Sequence, residues 1–206
     1  RLVGSEMCIR DSRVITIEDS LEIHYREINP GADAVELKVG DGFTYTDAIK
    51  ASLRQNPKWL MLSEARSTEV TSLLEQWSTG VHGFTTIHLD DLRKLPDRIQ
   101  NMMNNVNDAA RMENRIYRYV DVGILVKRHV DQNGQIHRKM DQVCFFDRTE
   151  LKNKCYMIIE DGELVSEELP KEIIAKFHEA GIDDPFVCED FDVLRKEQRR
   201  KEETTQ

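Results

Sequence analysis

Residues 59–64 read WLMLSE, four apolar residues followed by a serine and an acid. A short apolar run of this kind predicts a strand that is buried on both faces, with the acid just past its carboxyl end. The same layout occurs at residues 13–17 (RVITI), which Glu18 follows, and at residues 84–87 (FTTI), which His88 follows. Helical patterns separate the three runs, so the sequence predicts an α/β fold with a mainly parallel sheet.

The rest of the chain divides at about residue 105. Before it, we predict an edge strand at residues 34–39 and helices at residues 46–55, 68–77 and 90–105. After it, Asn133-Gly134 is a strong hairpin-turn signal between two predicted strands, residues 120–130 and 135–146. A strand at residues 155–160, a helix at residues 170–180 and a charged tail from residue 191 complete the prediction.

The composition limits the function. A net charge of −9 argues against a general nucleic-acid surface, and we expect no sequence-specific nucleic-acid binding. The four cysteines are scattered without a CxxC pair, which favours a reducing, cytoplasmic compartment: Cys8, Cys144, Cys155 and Cys188. No apolar run approaches the roughly 20 residues of a membrane span, so we expect any link to a membrane to come through partners.

Acids at strand ends are the first candidate catalytic residues. Open α/β sheets bind ligands outside the carboxyl ends of their strands, where Glu18 and Glu64 are both predicted to lie. A carboxylate there can orient or deprotonate a water that attacks a phosphate, and Glu64 can also sit beside a metal ion. The alternative is structural: each acid lies in a solvated loop, and Arg66 pairs with Glu18.

A second candidate group is His82, Gly83, Thr86 and His88. Gly83 allows a tight backbone, and Thr86 and His88 would point the same way along a strand. His88 could then hydrogen-bond a phosphate oxygen. The alternative is that an isolated histidine of this kind has only a structural role.

Together these segments resemble the type II/type IV secretion and pilus-assembly ATPase superfamily. Residues 16–22 (TIEDSLE) resemble its aspartate box, and residues 53–66 resemble its atypical Walker B segment. Residues 78–88 (STGVHGFTTIH) resemble its histidine box. The resemblance covers residues 13–103 well and residues 120–146 loosely, and it is nearest to the tight-adherence pilus and conjugation-type branch.

The resemblance implies a RecA-like P-loop NTPase core that uses ATP and Mg²⁺. Glu18 would act on the catalytic water, Glu64 would be the Walker B acid at the metal, and His88 would contact the phosphates. Supporting nucleotide contacts would come from Asp19, Ser63, Arg66, His82, Gly83 and Thr86. The family also implies a cytoplasmic homo-hexamer, peripheral to the inner membrane, that drives secretion, pilus assembly or conjugation with inner-membrane platform proteins.

Two departures from the family pattern stand out. The 206 residues contain no GxxxxGK[ST] loop, and the nearest glycine pair is Gly40-Asp41-Gly42. In addition, Lys58 stands where the family usually has aspartate, and Ser63 where it usually has glycine. We expect the loop to lie upstream of residue 13, and residues 1–12 (RLVGSEMCIRDS) to be a translated sequencing adapter.

These interpretations divide the chain into four parts. Residues 13–147 follow the adapter as a partial RecA-like ATPase domain, residues 148–190 form a C-terminal appendage, and residues 191–206 form a charged tail. The predicted function is an ATP-hydrolysing motor subunit, inactive as this piece alone. The alternatives are a non-catalytic RecA-like ring or scaffold subunit, another RecA-like motor that translocates DNA, and a plain α/β binding domain.

Overall fold

A computed structural model describes residues 12–103, 108–149 and 151–186 of the 206. Its first layer is a four-stranded parallel sheet in the order β2-β1-β3-β4. The strands are β1 (Val14–Glu18), β2 (Ala34–Lys38), β3 (Trp59–Leu62) and β4 (His82–Thr85). The predicted α/β class with a mainly parallel sheet is therefore confirmed.

Three helices follow the strands of this sheet: α1 (Tyr25–Ile28), α2 (Tyr45–Leu53) and α3 (Glu69–Trp77). A capping box starts α2, because the Thr44 hydroxyl accepts from the Asp47 N–H and the Asp47 carboxylate accepts from the Thr44 N–H. The sheet buries one apolar face against α2 and α3, and its core comprises Ile15, Ile17, Val39, Ala48, Ile49, Leu60, Leu62 and Leu73.

The second layer is an antiparallel sheet in the order β5-β6-β7-β8. Its strands are β5 (Val122–Val130), β6 (Ile136–Thr149), β7 (Lys152–Glu160) and β8 (Glu163–Leu164). A short 3₁₀ turn (Leu92–Lys94) and helices α4 (Leu95–Met102) and α5 (Ala109–Tyr119) precede it, and α6 (Lys171–Glu179) follows it. Ile116 of α5, Phe146 of β6 and Leu74 of α3 share one core cluster, which joins the two layers.

Several boundaries differ from the sequence prediction. Strand β4, which the sequence placed at residues 84–87, spans residues 82–85. These four residues pair in parallel with the four residues of β3. His88 therefore lies three residues beyond the strand, and Thr86 and His88 do not share a strand face as predicted. The hairpin around Asn133-Gly134, the strand before Asp161 and the helix near residues 170–180 are confirmed. The predicted tail from residue 191 lies outside the described residues.

The antiparallel sheet also contains a covalent link. Cys144 of β6 and Cys155 of β7 form a disulfide, which their scattered spacing does not indicate and which does not fit the reducing compartment predicted from the cysteines. Among the helices that the structure describes, none is both long and apolar enough to cross a membrane.

Candidate functional site

The loops that leave β1, β3 and β4 meet at the carboxyl edge of the parallel sheet. The Ser63 N–H donates to the Ile17 carbonyl (3.0 Å), which ties the end of β3 to β1. The Ala65 N–H donates to the Thr86 carbonyl (2.9 Å), and the Thr86 hydroxyl donates to the Ser63 carbonyl (2.6 Å). These bonds bring all three predicted site segments to one place, as open α/β sheets do for their ligands.

Glu64 is the centre of this edge. Its Oε1 lies 3.1 Å from Nε2 of His88, and its Oε2 accepts from Nε (2.7 Å) and lies 2.6 Å from Nη2 of Arg66. The Glu64 side chain is only 16% exposed, whereas the His88 side chain is 89% exposed. A carboxylate offers about four lone-pair sites, so Glu64 keeps room for one further donor or a metal ion.

Arg66 extends the network to the loop after β1. Its Nη1 donates to Oδ2 of Asp19 (3.1 Å), while its Nε and Nη2 engage Glu64. The hydrogen bond and charge of Glu64 raise the pKa of Arg66 above its usual value, so the guanidinium stays charged. The interpretation that Arg66 pairs with Glu18 is therefore wrong: its partners are Glu64 and Asp19.

Tyr45, the first residue of α2, completes the network, and no sequence motif marks it. Its hydroxyl accepts from the Asp19 N–H (3.1 Å) and lies 2.9 Å from the Ser63 hydroxyl. Burial raises the pKa of Tyr45, so the phenol stays protonated at neutral pH. Burial opposes ionisation of Asp19, but the Ser20 N–H, the Arg66 charge and the Tyr45 hydroxyl together lower the pKa of Asp19, which stays ionised.

Glu18 turns inward rather than toward this network. It is fully buried, and its Oε2 accepts from the backbone N–H groups of Glu22 (2.7 Å) and Ile23 (2.9 Å). Its Oε1 is buried and has no hydrogen-bond partner among the described residues. One oxygen of Glu18 thus shapes the loop after β1, while the other is a buried acceptor without a partner among the described residues.

We expect two Glu18 variants to show how much the loop bonds of Glu18 contribute to stability. Glu18→Ala leaves two loop N–H groups without an acceptor and should lower the free energy of unfolding by about 2 kcal/mol. Glu18→Gln keeps an acceptor oxygen and should stay within about 1 kcal/mol of wild type. Urea unfolding measures the difference, and a Glu18→Ala chain as stable as wild type would show that the loop contacts do not matter.

The structure does not bring His82 and Gly83 to this group. Both lie at the amino end of β4, where His82 stacks on Trp59 with ring centroids 5.3 Å apart. Trp59 begins β3, whereas Glu64 follows the last residue of that strand, so His82 and Glu64 lie at opposite ends of β3. Their predicted nucleotide contacts gain no support from this placement.

The side chains at this edge of the sheet fit a phosphate together with a hard cation such as Mg²⁺. They fit less well a site in which the protein supplies every metal ligand. In residues 12–103, 108–149 and 151–186, no three His, Cys, Asp or Glu side chains are placed to hold a metal ion. Mg²⁺ commonly uses one or two carboxylates and takes its other ligands from water and phosphate, which Glu64 can accommodate. Arg66 and His88 place cationic or donor groups beside it that complement phosphate oxygens.

Comparisons with known proteins point the same way. Residues 4–168 match the model of the family described as "Type II/IV secretion system protein". An uncharacterized protein of Bacillus anthracis is 36% identical over 122 residues, covering 58% of this chain and 28% of that protein. Competence protein ComGA of Streptococcus pneumoniae is 32% identical over 98 residues, covering 46% of this chain and 29% of that protein. The chain thus spans less than a third of the length of these curated relatives.

A solved structure resembles the fold. The ATPase DotB of Legionella pneumophila superposes with a TM-score of 0.58 at 21% sequence identity, covering 68% of this chain and 38% of that one. This likeness confirms the predicted RecA-like fold.

Proposed function

Because the chain belongs to the type II/IV secretion system protein family, we propose that it is part of an ATP-hydrolysing motor subunit. The observation that carries the proposal is the partly buried Glu64 carboxylate, held between His88 and Arg66 at the carboxyl edge of a parallel sheet. That position is where a RecA-like fold needs an acid to act on a terminal phosphate.

Bound Mg-ATP supplies the phosphoanhydride that is cleaved, and the residues of the chain do the positioning. With Mg-ATP bound, Glu64 would hold the metal ion and orient the attacking water, while Glu18, which turns inward, would hold the loop after β1 through the N–H groups of Glu22 and Ile23. His88 and Arg66 fix the orientation of Glu64 and offset charge near the phosphates. Asp19, Ser63 and Thr86 hold the loops around them.

The wider setting is part of the proposal. We assign the motor to a bacterial secretion, pilus-assembly, competence or conjugation system, where it works as a cytoplasmic homo-hexamer. It is peripheral to the inner membrane through platform proteins. ComGA, a competence protein, and DotB, an ATPase, are the kinds of protein that support this assignment.

We expect the 206-residue chain alone not to hydrolyse ATP, because it carries no GxxxxGK[ST] loop to cradle the phosphates. A longer protein that places such a loop before residue 13 should be active. Phosphate release with Mg-ATP measures both. Hydrolysis by the 206-residue chain would overturn the proposal that the phosphate-binding loop lies outside these residues. An inactive longer protein would favour the non-catalytic ring subunit.

A further inference from the structure

The β5–β6 hairpin extends beyond its sheet. Strand β7 pairs with β6 only at residues 143–149, so residues 126–140 form a two-stranded arm. In the part of the chain that the structure describes, no third strand pairs with this arm. A two-stranded ribbon alone is marginally stable in water, so a binding partner would stabilise it.

The charges of this basic arm are arranged unfavourably for an isolated ribbon. In three consecutive cross-strand pairs, residues of the same type lie opposite each other: Lys127 and Lys139, Arg128 and Arg138, and His129 and His137. Like charges directly opposite each other destabilise an antiparallel pair. Lys127 is paired with Asp141, and Nε2 of His137 lies 3.0 Å from Oδ2 of Asp131, but Arg128, Arg138 and Lys139 have no ion pair with a described residue. An acidic partner would remove this repulsion.

Apolar pairs flank the arginine pair on the same face of the arm. Val126 opposes Met140 and Val130 opposes Ile136, and all four side chains are about half exposed. Side chains two residues apart share a strand face, so this face presents an apolar pair, an arginine pair and a second apolar pair. A partner that fits it combines acids with exposed apolar side chains.

Such a surface lies on the same sheet and runs from the turn at Gly162, whose N–H donates to the Asp141 carbonyl at the base of the arm, to the edge strand β8. Residues 160–168 (EDGELVSEE), here called the acidic segment, contain five acids and no Lys or Arg. Leu164 and Val165 in its middle are about half exposed. Glu160 pairs with Arg93 and Glu168 with Lys154, whereas Glu163 and Glu167 have no ion pair with a described residue. The acidic segment thus matches the basic arm in both charge and exposed apolar groups.

We propose that the basic arm binds the acidic segment of a second copy of this chain. Two different patches on one molecule make a head-to-tail contact, which closes into a ring or extends as a filament. The half-exposed apolar pairs of the arm need an apolar surface beside the acids, which Leu164 and Val165 provide within the acidic segment and a nucleic-acid backbone does not. The contact between two copies does not depend on the proposed function and needs no nucleotide. Only the closure of such contacts into a ring rests on the proposed function.

Sedimentation velocity of the 206-residue chain without nucleotide tests the contact. We expect self-association that weakens at least about tenfold between about 50 mM and about 500 mM NaCl, because salt screens exposed charges. Arg128→Glu with Arg138→Glu should abolish it, as should Glu163→Lys with Glu167→Lys. An equimolar mixture of the two reversed variants should associate again, because each then offers the other a complementary patch.

The matched control for the arm variant is Lys50→Glu on α2 with Arg54→Glu just after it, which changes the net charge as the arm reversal does, at exposed positions, and should associate like wild type. Circular dichroism confirms that each variant is folded. A wild-type chain that stays monomeric up to about 100 µM would overturn the proposal. So would arm-dependent binding to anionic vesicles or duplex DNA without self-association. Neither result bears on ATP hydrolysis, so the two proposals fail separately.

Discussion

Glu64→Gln in the longer protein is expected to lower kcat for ATP hydrolysis by about 100- to 1,000-fold, the range for losing a group that positions or deprotonates the nucleophile. The amide keeps the size of the side chain and one acceptor oxygen. It loses the charge that holds Arg66 and His88 and that a metal ion requires. Binding of ATP should change little by comparison, because the other groups at the edge remain.

Two controls separate catalysis from folding. Glu75→Gln removes an exposed carboxylate from α3, outside the site, and should leave kcat unchanged. The free energy of unfolding of Glu64→Gln should stay close to wild type, because its partners Arg66 and His88 are mostly exposed and such pairs contribute little. A Glu64→Gln enzyme that retains more than half of wild-type kcat would remove Glu64 from the catalytic group.

Gly83→Ala is expected to cause the largest loss of stability, about 3 kcal/mol of unfolding free energy, at the upper end for overpacking. A Cβ at Gly83 would lie 1.9 Å from the carbonyl oxygen of Leu60, in the neighbouring strand β3, and 3.2 Å from Nε1 of Trp77. A backbone carbonyl cannot move aside without separating β4 from β3. Urea unfolding of the 206-residue chain measures the loss.

Gly123→Ala is the matched control. A Cβ at Gly123 would meet the Cδ2 of Leu92 at 3.0 Å and the Cε2 of Phe146 at 3.2 Å, and both atoms are at the ends of side chains. The ends of side chains can shift, so this variant should lose only about 1 kcal/mol. Equal losses in the two variants would contradict the close approach of β4 to β3. The sequence prediction placed Gly83 at the nucleotide, whereas the structure gives it a packing role.

The sequence identified the acid and the histidine of the site because each follows an apolar strand. That rule places Glu64 and His88 at one edge of the sheet, and the structure puts them in contact. The same rule could not reveal that Glu18 turns inward, because the direction of its side chain depends on the loop N–H groups of Glu22 and Ile23.

Local sequence patterns could not predict contacts between segments that are distant in the sequence. Tyr45 reaches Ser63, 18 residues away, through the packing of α2 on the sheet, and no local pattern records this. Helix α5, by contrast, segregates its apolar and polar residues to opposite faces at helical spacing, so it could have been predicted from the sequence. The like-charge pairs of the basic arm depend on a register that shifts between Leu125 and Val126, and such an irregularity is not visible in the sequence.

The most direct test of the central claim, that this chain is one part of an ATP-hydrolysing motor, is to sequence the source DNA upstream of the codon for Arg13. We predict an open frame that encodes a strand followed by GxxxxGK[ST], the loop that would cradle the phosphates beside Glu64 and His88. A frame that begins within residues 1–12 and encodes no such loop would contradict the claim. The non-catalytic ring subunit would then be the better account of the family fold.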